Sequence, residues 1–171
     1  QLGERFTFLN DAVIPNQANL AGASNGVFTV PLVNFEQQGT NITTIAFDNF
    51  NATEPPGAPR TNQPLPGITS TNANNVAMEI LTFLDLPTGC HTLGVNSDEG
   101  FFVTLGHGRF GTILGQFPRG RRATDTLFQI IVQEAGVYPI RLAWWERAGA
   151  ASVGFFSVTE TGRKILINHR N

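Results

Sequence analysis

Several residue types are nearly missing from this chain of 171 residues. It has one cysteine, one methionine, one tyrosine and one lysine. A lone Cys90 excludes an internal disulfide, and without several His and acidic partners it cannot build a zinc site. Cys90 stands in "PTGCHTLGV" at an expected strand start, where burial as a small hydrophobe is the first expectation. An intermolecular disulfide is the alternative. Charged residues make up only 14%, and the net charge of -2 gives no general attraction to nucleic acid or to an anionic membrane. No apolar run approaches the ~20 residues of a membrane-spanning helix. Gln1 is followed directly by polar, strand-like sequence, so the expectation is a mature form or an excised module.

What is present is a hydrophobic fraction of 41%, enough for one domain with a real core. Lys164 is the only lysine, and Asn, Gln, Thr and Gly stand where many cytosolic surfaces carry Lys and Glu. This points to an extracellular protein, and a compositional bias of the genome explains it equally well. Helical periodicity is nearly absent. Short strand-like runs recur between Gly, Pro, Asn and Asp clusters, at 5–9, 27–33, 42–50, 76–86, 91–96, 101–105, 111–117, 126–134, 137–146, 151–159 and 163–168. Ten or eleven short strands define an all-β chain, an antiparallel β-sandwich or jelly-roll-like barrel.

The alternation assigns faces. Tyr138, Ile140, Leu142 and Trp144 share one face of their run, and Val137, Arg141, Ala143 and Trp145 the other. Phe128, Ile130 and Val132 share a face, as do Met78, Ile80, Leu84 and Leu86. The short Gly-containing loops "EAGVY", "ERAGAA" and "TETGR" predict hairpins and a C-terminal β-meander. Residues 51–75 hold five of the ten prolines and fit neither a helix nor a central strand. The expectation is a single sandwich domain over 1–171 with this Pro-rich irregular segment as a cover. A linker between two domains is the competing reading.

"LPTGCHTLGVNSDEGFFVTLG", followed some thirty residues on by "EAGVYPIRLAWWERAGAASVGFFSV", resembles the protective-antigen-type domain. That is a lectin-like β-barrel of toxins, flocculins and some glycosidases. Gly89, Ser97–Gly100, Gly136–Tyr138, Trp145–Glu146 and Gly149–Phe156 stand at the places of its motifs. "LPGIT", "VAMEILTFLDLPTG" and "ATDTLF" are similar to a sub-group from secreted or surface proteins of Verrucomicrobia- and Planctomycetes-like bacteria. The resemblance covers residues 64–168 well and 1–60 only vaguely. It implies a jelly-roll-like barrel of two antiparallel sheets. Its sugar-binding members place two adjacent Asp in the loop where this chain has Asp98 and Glu99, and there hold a calcium ion that engages sugar hydroxyls.

Three features are candidate sites. "NSDEG" is either a tight turn, for which Asn96, Ser97, Asp98 and Gly100 suffice, or a calcium and sugar site using Asp98 and Glu99. The Arg cluster Arg109, Arg119, Arg121 and Arg122 suits carboxylates, sulfates or phosphates. It can dock an acidic polysaccharide or a subunit, or be a solvated loop paired to Asp125 and Glu134. In "WWER", Trp144 is expected in the core. Trp145 is expected on the opposite face, either under the Pro-rich cover or free to stack on a sugar. His91, His107 and His169 are scattered, and no nucleophile elbow, phosphate loop or metal helix appears. The sequence therefore reads as a non-catalytic extracellular or cell-surface module, structural or adhesive, self-associating into a fibre or coat. The alternative is a calcium-dependent carbohydrate-binding module using Asp98, Glu99, Trp145, Arg121 and Arg122. Expected partners are copies of itself or polysaccharide, with no nucleic acid and no membrane insertion.

Overall fold

A computed structural model of the chain describes residues 27–37, 63–68, 73–108 and 110–169. Among them are nine strands: β1 (Asn34–Gln37), β2 (Val76–Leu86), β3 (Gly89–Ser97), β4 (Phe101–Leu105), β5 (Thr112–Phe117), β6 (Thr124–Val132), β7 (Gly136–Glu146), β8 (Ala151–Val158) and β9 (Lys164–Leu166). They form two antiparallel sheets. One runs β1-β8-β3-β6 with β9 also on β8, and the other runs β2-β7-β4-β5. The all-β sandwich expected from the alternation is the observed architecture.

The faces follow the two-residue period. Leu93, Val95, Val153 and Phe155 from the first sheet meet Val103, Ile140, Leu142 and Trp144 from the second in one buried core. Met78, Ile80, Phe128, Ile130 and Tyr138 pack against its margin. The register of β2 on β7 is unbroken from Val76↔Glu146 to Leu86↔Gly136.

Two expectations about elements are corrected. Residues 27–33 carry no strand, and pairing begins only at Asn34. Pro31 has no N–H to give a ladder. The meander is also absent. "EAGVY" joins β6 to β7 and "ERAGAA" joins β7 to β8, and both pairs lie in different sheets. Only β4–β5 and β8–β9 pair as neighbours in sequence. The other short loops turn corners between sheets, as a jelly roll requires. The expected strands at 5–9 and 42–50 lie outside the described residues. Within the Pro-rich stretch, Gln63 bridges Phe35, and Leu65 and Ala73 are buried in the core.

Candidate functional site

The "NSDEG" motif lies on the corner that carries the chain from β3 in one sheet to β4 in the other. It is saturated with backbone bonds. The Asp98 N–H donates to Ser152 O at 2.9 Å, and the Trp145 N–H donates to Gly100 O at 3.2 Å. The Trp144 indole N–H reaches Asp98 O at 2.8 Å. Glu99 sits at φ 63°, the left-handed region that a non-glycine residue enters only when its surroundings hold it there.

The Glu99 side chain supplies that hold. It is buried, and its Oε2 accepts the Arg121 N–H at 3.1 Å while its own N–H donates to Arg121 O at 2.9 Å. Ser97 Oγ donates to Glu99 O at 2.9 Å. The Arg147 guanidinium stands 3.9 Å from Glu99 Oε1. A Cβ on Gly120 would lie 2.4 Å from Glu99 Oε2, so glycine there lets the carboxylate reach the loop 118–123. Gly100 is needed for a similar reason. A Cβ on it would lie 2.4 Å from Trp145 Nε1 and 2.9 Å from Phe117 O.

Arg121 is built into the same corner. Its Nη1 donates to Thr126 Oγ1 at 2.7 Å and its Nη2 to Ser97 Oγ at 2.9 Å. The guanidinium lies 4.2 Å from the Phe117 ring centroid and 5.8 Å from that of Phe101. Both terminal nitrogens of its fork are thus used within the protein, while its buried Nε has no hydrogen-bond partner among the described residues. Arg119 and Arg122 are exposed, and Arg109 lies outside the described residues. Asp125 accepts from Asn96 Nδ2 at 2.7 Å and pairs with Lys164.

Both tryptophans are fully buried. Trp144 is on the core face as the alternation predicts. Trp145 is on the other face, seated against Gly100, and offers a ligand no open ring. The residue that site reasoning passed over is Glu146. It is fully buried, with neither carboxyl oxygen hydrogen-bonded among the described residues. The signal was in the alternation, because Glu146 shares the parity of Ile140, Leu142 and Trp144. Burial, then the charges of Asp98 and Glu99, push its carboxyl up to about 9. Burial first, then Glu99, raises Asp98 to about 6, and burial raises Glu99 as well.

These groups do not fit a calcium site. Calcium needs six to eight oxygens with several ionised carboxylates free to face it. Glu99 already faces an N–H and a guanidinium. Among the described residues no three His, Cys, Asp or Glu side chains are placed to share an ion.

The fold and corner define a class, a jelly-roll-like sandwich whose β3–β4 corner is closed by its own side chains. No family model matches the chain, and no curated protein matches it. Among solved structures it is similar to the PA14 domain of the MpAFP antifreeze protein, at 14% identity and a TM-score of 0.49, covering 58% of this chain and 52% of that one. It is also similar to the PA14 sugar-binding domain from an RTX adhesin, at 15% identity and 0.48, covering 58% and 54%. An anti-sigma factor domain-containing protein matches at 14% identity and 0.58, over 84% of this chain and 40% of that one. The matches therefore span about half or less of those structures' own length. With the last of them the likeness is one of fold.

Proposed function

We propose that the protein is a non-catalytic module of an extracellular surface that adheres through protein contacts and associates with copies of itself in a fibre or coat. One observation carries this. The outer face of the β2-β7-β4-β5 sheet leaves large apolar side chains in solvent: Leu81 at 52%, Phe83 at 61%, Ile113 at 52% and Val137 at 64% exposed. The ladders group Leu81, Phe83 and Val137, and place Ile113 three strands away across the buried Arg141 and Thr104. Leu81, Arg141, Thr104 and Ile113 form one row across the four strands, and Phe83 and Val137 extend it. The apolar group of Leu81, Phe83 and Val137, flanked by Glu79 and Asp85, suits a binding partner's seat better than open solvent. His91 bonds Pro87 O at 2.8 Å, and His107 bonds Thr82 O at 2.9 Å.

Sedimentation velocity over a range of concentration tests this reading. The expected result is mass-action association that Leu81→Lys with Phe83→Lys abolishes without changing the far-UV spectrum. A wild-type chain that stays monomeric at every concentration sinks it.

Carbohydrate binding is the second reading. It is the activity printed for the RTX adhesin domain, and the Candida glabrata Epa6 domain is printed in complex with Galb1-3GlcNAc, at 18% identity and a TM-score of 0.43, covering 56% of this chain and 52% of that one. In this chain the exposed Arg119 and Arg122 stand at the corner for such a ligand, while the half-buried Asp98 carboxylate already takes backbone N–H bonds from Glu99 and Ala123. A glycan array separates the two readings.

A further inference from the structure

We infer that Glu99 is an internal brace that closes the β3–β4 corner in place of a divalent cation, so that neither the fold nor any glycan binding of this protein depends on calcium. An ion at such a corner would do two things. It would neutralise adjacent carboxylates, and it would tie the β3–β4 corner to a second loop. In this chain residues make the tie and supply part of the neutralisation.

The tie is the reciprocal pair between Glu99 and Arg121. One bond runs from the Glu99 N–H to Arg121 O at 2.9 Å, and the other from the Arg121 N–H to Glu99 Oε2 at 3.1 Å. Together they fasten the corner to the loop between β5 and β6. The length of glutamate matters. From a backbone at φ 63° the carboxylate extends to the loop, and Gly120 leaves the space it enters. An aspartate is one methylene too short for the same reach. Cations of the chain offset part of the charge, while burial and the neighbouring carboxylates still hold Asp98 and Glu146 above their ordinary range. Arg147 is 3.9 Å from Glu99 Oε1, and Arg121 is fixed beside Ser97 by its own side-chain bonds. A cation approaching Glu99 would meet the Arg147 guanidinium beside Oε1 and the Arg121 N–H aimed at Oε2, the oxygen it needs. Glu99 is thus a positioning residue for the loop that carries the exposed Arg119 and Arg122.

The test uses the whole protein and does not involve its oligomeric state, so it can fail while the self-association reading stands. The melting temperature is measured in EDTA and in calcium at about 1–5 mM, the range in which weak extracellular sites fill. Calorimetric titration of calcium accompanies it. The expected result is no calcium heat and the same melting temperature in both buffers. Glu99→Ala should melt about 3–10 °C lower, as loss of a charged hydrogen bond implies for a chain of this size. Glu99→Gln, which keeps an acceptor for the Arg121 N–H, should recover part of that loss, and Glu99→Asp should not. Saturable calcium binding by the wild type, or a calcium-induced rise in its melting temperature, overturns the inference. So does a Glu99→Ala protein that melts with the wild type. Should Glu99→Ala not fold, the calcium titration of the wild type decides alone.

Discussion

Glu146 shows what burial does to one acid. Its carboxyl is raised to about 9, so between the ordinary glutamate value near 4.5 and about 9 the folded state holds a proton that the unfolded state releases. The sign follows. This contribution is complete below the unfolded value and is lost as pH rises through the folded one. Asp98, raised to about 6, acts in the same direction over a lower window. Melting temperature should therefore fall from pH 5 to pH 9, and Glu146→Gln should flatten that fall. An unchanged slope in Glu146→Gln would place the titration elsewhere. Cys90 reverses an expectation at the same scale. It is exposed at the start of β3, opposite the exposed Ile131 of β6, and does not serve as a buried hydrophobe. The position lies at the end of an outer face, where the strand runs past its cover. The native protein should react with one equivalent of a thiol reagent without denaturant, and slow reaction would show that the side chain is shielded.

At the scale of elements, Arg121 joins three strands and a loop. Replacing it by Ala removes the bonds to Ser97 and Thr126 and the stacking on Phe117. The expected cost is about 2–4 kcal/mol in chemical denaturation. Arg122→Ala, one residue on and exposed, should cost under about 0.5 kcal/mol. The contrast explains what could be read in advance. Strand positions were legible because alternation is local: β2 and β4 begin and end where the pattern puts them. The connections were not, because a short glycine-containing loop serves a hairpin and a corner between sheets equally well. The candidate site was half legible for the same reason. Alternation put Trp144 in the core and Trp145 on the other face. It could not show that the 97–100 corner folds over Trp145, or that Arg121, from a cluster that looked solvated, turns inward onto Phe117. The Trp145–Gly100 and Arg121–Ser97 contacts join residues 45 and 24 positions apart, beyond the range of any periodicity, and the Arg121–Phe117 contact crosses from a strand into a loop where alternation does not run.

For the whole molecule, the two sheets are tied by corners, and most strands find their partners far along the chain. Core packing should set the stability. Trp144→Ala, at the centre of the inner face, should cost about 3–5 kcal/mol, read from the urea midpoint. The pairing of β2 with β7 has a consequence for how the protein is made. Val76 pairs with Glu146, and Leu86 with Gly136. During synthesis at about 5–20 residues per second, β2 leaves the ribosome several seconds before the strand that completes its ladder. Throughout that interval an eleven-residue strand with Leu81 and Phe83 on one side and Met78, Ile80 and Leu84 on the other is open to any passing chain. Refolding should be slow for the protein's size, in the millisecond-to-second range typical of non-local β topologies. The face proposed for association in the complete sandwich is the same one that a nascent chain must keep from associating too early.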